Sequence, residues 1–149
     1  MKAGTSVELT ISAENLSLRN YVLKQMPDGN ASNFCAVRIY ATEKISDDRY
    51  YAYTWVLEET CSDQNGELHV QSASSYPCRF ELSKENGASG VVSAEIPGDG
   101  AQYTKDLKKF FPKAVREQIA DVQNDGTIQE LEEKISAQAK EYFNAVITE

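Results

Sequence analysis

The spacing of apolar residues divides the chain into a strand-rich middle and helical ends. Over residues 35–96 apolar residues recur at every second position, and over 101–147 at every third or fourth. A shorter helical pattern covers 13–26, and residues 1–12 suit an arm or an edge strand. This order predicts one α+β domain over 1–149: an N-terminal helix packed on a curved four-stranded antiparallel meander, then two to three C-terminal helices. We expect the helices to cover one face of the sheet.

The stretch Arg49–Thr60 holds the only tryptophan and three of the eight tyrosines. With a period of two, Tyr51, Tyr53 and Trp55 fall on one face of a strand. Aromatic residues favour a pleated, half-buried surface and bury large areas. We therefore predict a central strand whose ring-bearing face anchors the core.

The next strand is predicted to be long and interrupted. Asn65-Gly66 is typical of a hairpin turn because both residues readily take positive φ values. Apolar residues then keep one phase on both sides of a serine-rich middle, Ser72–Pro77. Because proline cannot donate to a sheet ladder, this middle is predicted to be a bulge or bend. The residues in phase are Leu68, Val70, Tyr76, Cys78, Phe80 and Leu82.

Three features organise the C-terminal part. Glycines and a proline end the sheet region at residues 97–100. Pro112 suits the first turn of a helix, where its missing N–H costs nothing. Thr127 with Glu130 three residues later forms a capping-box sequence, which predicts that the last helix begins there.

Charge and hydropathy exclude several classes of protein. The formal charge of −8 disfavours nucleic-acid binding and attraction to anionic lipid, which both need a basic face. No apolar run is long enough to span a bilayer. The first ten residues lack the apolar region of a signal peptide, so the chain is either cytosolic or a mature segment whose leader has been removed.

The reactive residue types do not form a recognisable site. Cys35, Cys61 and Cys78 have no C-x-x-C spacing, and His69 is the only histidine, so we expect no metal site, no cofactor and no catalytic residue. The thiols form either one disulfide with one free cysteine or three free, buried side chains. His69 is out of phase with its apolar neighbours and is predicted to face solvent. The carboxylates of Asp63–Glu67 lack the rest of a calcium loop.

One segment carries a resemblance to a known group. It is Pro97–Pro112, PGDGAQYTKDLKKFFP, supported by Tyr51–Thr60 and by Ala139–Phe143. The chain resembles uncharacterised exported or lipoprotein-type domains of Firmicutes, similar to the segment that follows the membrane part of β-lactam-sensor (antirepressor) type metallopeptidases. The resemblance implies a cystatin-like or NTF2-like fold, an extracytoplasmic location and a sensing role. The zinc motif H-E-x-x-H is absent, so no peptidase activity is implied. Taken by itself, the segment is either a structural joint or a site for a ligand or a partner.

The aromatic residues are the candidate binding site. They either fill the core, line an apolar pocket with their hydroxyl groups directed inward, or form an exposed stripe that binds protein. The candidate residues are Tyr51, Tyr53, Trp55, Tyr76 and Phe80. We hypothesise a non-enzymatic extracytoplasmic binding or sensing domain. The alternative is a protein–protein interaction module that uses the sheet face or the 97–112 joint. The partner is a small molecule or a protein, and the oligomeric state is left open.

Overall fold

The computed structural model describes residues 13–27, 31–84 and 90–148. In these ranges one helix precedes four strands, and three helices follow them. The predicted 1–12 arm lies outside the described residues. The helices are α1 (Ala13–Gln25), α2 (Ala101–Phe110), α3 (Lys113–Ala120) and α4 (Thr127–Thr148). The strands are β1 (Ser32–Lys44), β2 (Arg49–Gln64), β3 (Glu67–Ser83) and β4 (Gly90–Glu95).

The strands form one antiparallel sheet in the order β1-β2-β3-β4. The turn between β2 and β3 is tight because Asn65 and Gly66 both adopt positive φ, 57° and 88°. The predicted α+β class, the meander and the placement of the helices before and after it are confirmed.

The helices cover both faces of the sheet, so the expectation of one covered face is wrong. Leu18 and Val22 of α1 pack with Val56 and Phe80 on one side, which we call the α1 face. Helices α2, α3 and α4 pack on the other side, the α2–α4 face. The physical reason lies in β2, where the residues in both phases are apolar or small from Tyr50 to Leu57. Such a strand is buried on both sides. The core of the α2–α4 face contains Phe34, Ala36, Tyr53, Trp55, Leu57, Phe111, Val115, Ile119, Leu131 and Ile135.

A one-residue bulge divides β3. Cys61 of β2 lies opposite Val70, but Thr60 lies opposite Ser72, so Gln71 is the extra residue. Because side chains alternate along a strand, one inserted residue turns the rest of the strand over. Leu68 contacts the core of the α2–α4 face, whereas Tyr76 and the apolar residues after it belong to the α1 face. The prediction of an interrupted strand is therefore correct, but the break precedes Ser72–Pro77 and the two halves do not share a face.

Pro77 lies within β3, and its position there has a simple explanation. Strand β4 pairs with β3 only from Arg79 to Ser83. Within the part of the chain that the structure describes, Pro77 therefore lies on a stretch of β3 with one strand neighbour, and sheet edges are where proline is tolerated.

The C-terminal helices begin near the predicted residues, but one cap differs. Pro112 directly precedes the first residue of α3, as its sequence position suggested. At α4, the backbone N–H of Thr127 donates to the Asp125 carboxylate at 2.9 Å, and the N–H of Glu130 donates to the Gly126 carbonyl. The capping box predicted for Thr127 and Glu130 is therefore wrong, and Asp125 supplies the cap. No described helix is both long enough and apolar enough to cross a bilayer.

Candidate functional site

The bulge separates the five predicted site residues into two groups. If the hairpin register continued without it, Tyr76 would lie opposite Trp55 and Phe80 opposite Tyr51, all on one face. In the structure Trp55 lies opposite Pro77 and Tyr51 opposite Glu81. Tyr51, Tyr53 and Trp55 therefore lie on the α2–α4 face, and Tyr76 and Phe80 on the α1 face. The structure therefore keeps the two groups apart, on opposite faces of the sheet.

The group on the α2–α4 face is packed core. Tyr53 and Trp55 are 4% and 5% exposed. The Tyr53 ring lies 5.8 Å from the ring of Phe111 and 6.1 Å from that of Tyr51. The Arg79 guanidinium stacks 4.1 Å from the centre of the Tyr51 ring. Helix residues and a cation thus fill the space that a ligand would need.

The polar atoms of this group have partners within the protein. The Tyr53 hydroxyl donates to Glu43 Oε1 at 2.5 Å, and Trp55 Nε1 donates to Ser75 Oγ at 2.6 Å. Burial and then this hydrogen bond raise the pKa of Tyr53, so its phenol stays protonated at neutral pH. A phenol that already donates to a carboxylate has no proton available for a ligand.

The second group is packed in the same way against α1. Phe80 is 1% exposed and meets the ring of Tyr21 edge-on at 6.1 Å. The Tyr76 hydroxyl donates to Glu58 Oε2. Burial and then this hydrogen bond raise the pKa of Tyr76 as well. Both aromatic groups therefore pack against helices.

The three cysteines are buried and unbridged. Burial raises the pKa of the Cys35 and Cys78 thiols to about 12, and that of Cys61 to about 11. Because the thiolate is the reactive form, these thiols are unreactive at neutral pH. Of the two readings left open by the sequence, the structure favours three free thiols.

His69 is exposed, as predicted. Its Nε2 lies 3.5 Å from Oε1 of Glu67. Ser62 lies opposite His69 on β2, but the Ser62 hydroxyl accepts a hydrogen bond from Gln71 at 2.8 Å. Among the described residues no group of three or more His, Cys, Asp or Glu side chains could hold a metal ion.

A cleft of about 100 Å³ lies between the β2–β3 turn and α4. None of the five predicted residues lines it. Its walls consist of Asp63, Gly66, Leu68, Lys140, Phe143 and Asn144. This is little more space than a few water molecules occupy, and it is well below the few hundred Å³ of a typical ligand site.

The sides of β1 and β3 that face away from β2 differ in how they are covered. On β1, Asn15 Nδ2 of α1 donates to the Val37 carbonyl at 2.8 Å, and Gln138 Nε2 of α4 donates to the Cys35 carbonyl at 3.1 Å. We call Cys35–Val37 the closed edge, because helices from both faces reach around it. The spacing of apolar residues does not predict these two hydrogen bonds, because both donors are polar side chains.

The outer side of β3 is not covered in this way. Within the described part of the chain, no strand pairs with that side before Arg79. Residues 69–75 are all exposed and contain no Asp, Glu, Lys or Arg. We call Ser72–Tyr76, between the bulge and Pro77, the open edge. The feature of the sequence that could have indicated this edge is the run of uncharged residues, since 26% of the chain is charged.

Comparison of the chain with protein-family models, curated proteins and solved structures finds no match. The resemblance of Pro97–Pro112 to exported domains therefore stays a prediction, and function must be argued from the geometry.

Proposed function

We propose that the protein is a non-enzymatic binding domain that takes up an extended segment of another polypeptide along the open edge, Ser72–Tyr76. The observation that carries this proposal is an uncharged stretch of β3, exposed through Ser75, that among the described residues has a strand neighbour on one side only. The proposal follows the protein-interaction alternative, with the contact moved from the sheet face to the sheet edge.

The packing of both faces disfavours the small-molecule alternative. A pocket in the sheet would require Tyr53 or Trp55 to line open space, and each is buried against helix side chains. The cleft beside α4 is too small to replace it. A surface for a partner must therefore lie outside the two cores.

The chemistry of the open edge suits an added strand. The outward N–H and C=O groups of an edge strand can pair with any extended backbone, which provides affinity without a particular sequence. Ser72, Ala73, Ser74 and Ser75 are small and uncharged, so they neither block nor repel an incoming chain. Natural edges are often protected by charges, bulges or proline. Here the bulge at Gln71 and Pro77 bracket the edge and limit the added strand to about five residues.

The setting of this binding domain is proposed on narrower grounds. An extracytoplasmic, lipoprotein-type location and a cystatin-like or NTF2-like relationship rest on the resemblance of Pro97–Pro112 alone. The edge proposal does not require them, since strand addition works in any compartment.

The experiment is a selection from a phage-displayed library of random peptides, followed by affinity measurements on two matched variants. Ser74→Lys places a charge on the open edge, and Thr42→Lys places one on an exposed position of β1. Selected peptides should bind Ser74→Lys at least about tenfold more weakly and Thr42→Lys as tightly as the parent, because an edge lysine opposes strand addition.

Hydrogen exchange then locates the contact. Bound peptide should slow amide exchange within Ser72–Tyr76. Peptides that bind Ser74→Lys as tightly as the parent, or that protect only helix amides, would contradict the proposal. The same holds for a library that yields no binding peptide.

A further inference from the structure

A basic surface lies on an otherwise acidic chain. Residues 105–116 contain five basic residues and one acidic residue, whereas the rest of the chain contains ten basic and twenty-two acidic residues. This segment covers the second half of α2, the joint at Pro112 and the first turn of α3. Charge is therefore segregated along the chain.

The four lysines of this segment lie at the protein surface. Lys105, Lys108, Lys109 and Lys113 are all exposed. Within the described ranges none of the four lies within 4.0 Å of a carboxylate oxygen. Asp106, the one acid, accepts from the Gly98 N–H at 2.9 Å and from Gln102 at 2.7 Å. Its carboxylate is thus already hydrogen-bonded within the 97–112 segment.

The orientation of α2 keeps these lysines outward. Leu107 and Phe110 contact the core of the α2–α4 face. Lys105, Lys108 and Lys109 are spaced three and four apart, so they share the opposite side of the helix. Arg79 fixes the end of α2, because its guanidinium lies 5.0 Å from the centre of the Phe110 ring while it stacks on Tyr51. The lysines are therefore presented on a fixed support.

We propose that this basic surface, Lys105, Lys108, Lys109 and Lys113, binds an acidic segment of a partner polypeptide. The surface lies on different elements from the open edge. The inference goes beyond strand addition and does not depend on it.

Two observations favour an acidic polypeptide over a bilayer or a nucleic acid. The apolar side of α2 faces the core, so no side remains to insert between lipids. The other twenty-two acidic residues would repel an extended anionic membrane or polymer. A short acidic segment would contact the basic surface alone, and at physiological salt charges beyond about 8 Å are screened.

The test measures association of the full chain with short, fluorescein-labelled poly-L-glutamate. The charge-reversal variant is Lys108→Glu with Lys109→Glu. The control, Lys24→Glu with Lys134→Glu, changes the net charge equally at exposed residues of α1 and α4. Association should slow at least about tenfold in the first variant, because steering depends on local charge. It should change by less than about twofold in the control, and the difference should shrink as salt rises.

Three outcomes would overturn the inference. Poly-L-glutamate could fail to bind the parent at low salt, or the control could lose as much binding as the Lys108 and Lys109 variant. Single-stranded DNA or phosphatidylserine vesicles could bind more tightly through the same lysines, which would assign the surface to another class of partner. Ser74→Lys should leave poly-L-glutamate binding unchanged, so failure at the open edge and failure here are distinguishable.

Discussion

The closed edge on β1 and the open edge on β3 belong to the same sheet but have different surroundings. On β1, helices from both faces supply Asn15 and Gln138 to the outward carbonyls. On β3, the same helices leave seven consecutive residues exposed. The difference shows that the helices protect the edge beside which both α1 and α4 pack, and leave the other to its own side chains.

The bulge at Gln71 explains why the difference falls where it does. The bulge changes which face of the sheet the side chains of β3 point to. Apolar side chains after it pack toward α1, whereas Leu68 before it packs toward α4. Residues 69–75, between these two anchors, are all exposed. An exposed edge is the result.

The largest expected effect comes from deleting Gln71. The deletion forces one half of β3 to slip by one residue, which turns Phe80 and Leu82 away from the α1 core or displaces the hairpin. We expect the free energy of unfolding to fall by more than about 3 kcal/mol in urea titrations. Gln71→Ala keeps the residue count and should cost less than about 0.5 kcal/mol. A deletion no more harmful than this control would contradict the assignment of the bulge.

Opening the closed edge should have the next largest effect. In the double variant Asn15→Leu with Gln138→Leu, two carbonyls of β1 lose their donors. The expected loss is about 1–3 kcal/mol, the range for unsatisfied buried groups. Gln64→Leu removes an exposed hydrogen bond to Ser62 and is the control. If both variants lose equally little stability by thermal and urea melts, the carbonyls do not depend on the helices.

The cap at α4 affects the closed edge indirectly, because α4 carries Gln138. Asp125→Ala removes the acceptor of the Thr127 N–H and should cost about 1 kcal/mol. Asp121→Ala, on the preceding turn, should change stability by less than about 0.5 kcal/mol. A cap variant as stable as this control would restore Thr127 as the candidate cap.

Glu59 lies on β2 between the two edges and predicts a pH dependence. It is 7% exposed, and burial followed by the nearby Glu132 charge raises its pKa. A carboxyl whose pKa is higher in the folded state loses its stabilising contribution as the pH rises through that pKa. Glu59→Gln should therefore stabilise the protein more at pH 8 than at pH 4. Urea titrations at both pH values that give the variant the same advantage would contradict this.

The smallest expected effect is on the open edge itself. Ser74→Lys alters an exposed position that contributes little packing, so the free energy of unfolding should change by less than about 0.5 kcal/mol. A loss above about 1 kcal/mol would show that Ser74 supports the fold. The edge would then be a structural element and a poor candidate for recognition.

The sequence predicted elements better than it predicted faces. Helix α2 occupies Ala101–Phe110, as periodicity indicated, and α4 begins at Thr127, where the capping-box sequence placed its start. Apolar spacing determines such elements because one side of each helix must be buried. The burial of β2 on both sides was indicated by apolar residues in both phases, such as Ala52 and Val56. The prediction instead followed the tyrosines of one phase.

The position of the bulge could not be predicted for a physical reason. Val70 and residues 72–75 are all exposed, so an extra residue there leaves no polar group in the core and no apolar mismatch. Periodicity constrains register only where one face is buried. The expectation that the five aromatic residues share one face was wrong for the same reason, because Tyr76 and Phe80 lie with Trp55 only in a register without the bulge.

The most direct test of this account is an assignment of cross-strand nuclear Overhauser contacts between β2 and β3. The account predicts that Trp55 lies opposite Pro77 and Tyr53 opposite Arg79, with Gln71 unpaired. Contacts that place Trp55 opposite Tyr76 and Tyr51 opposite Phe80 would contradict it. Such a register would unite the five aromatic residues on one face and return the pocket as the leading hypothesis.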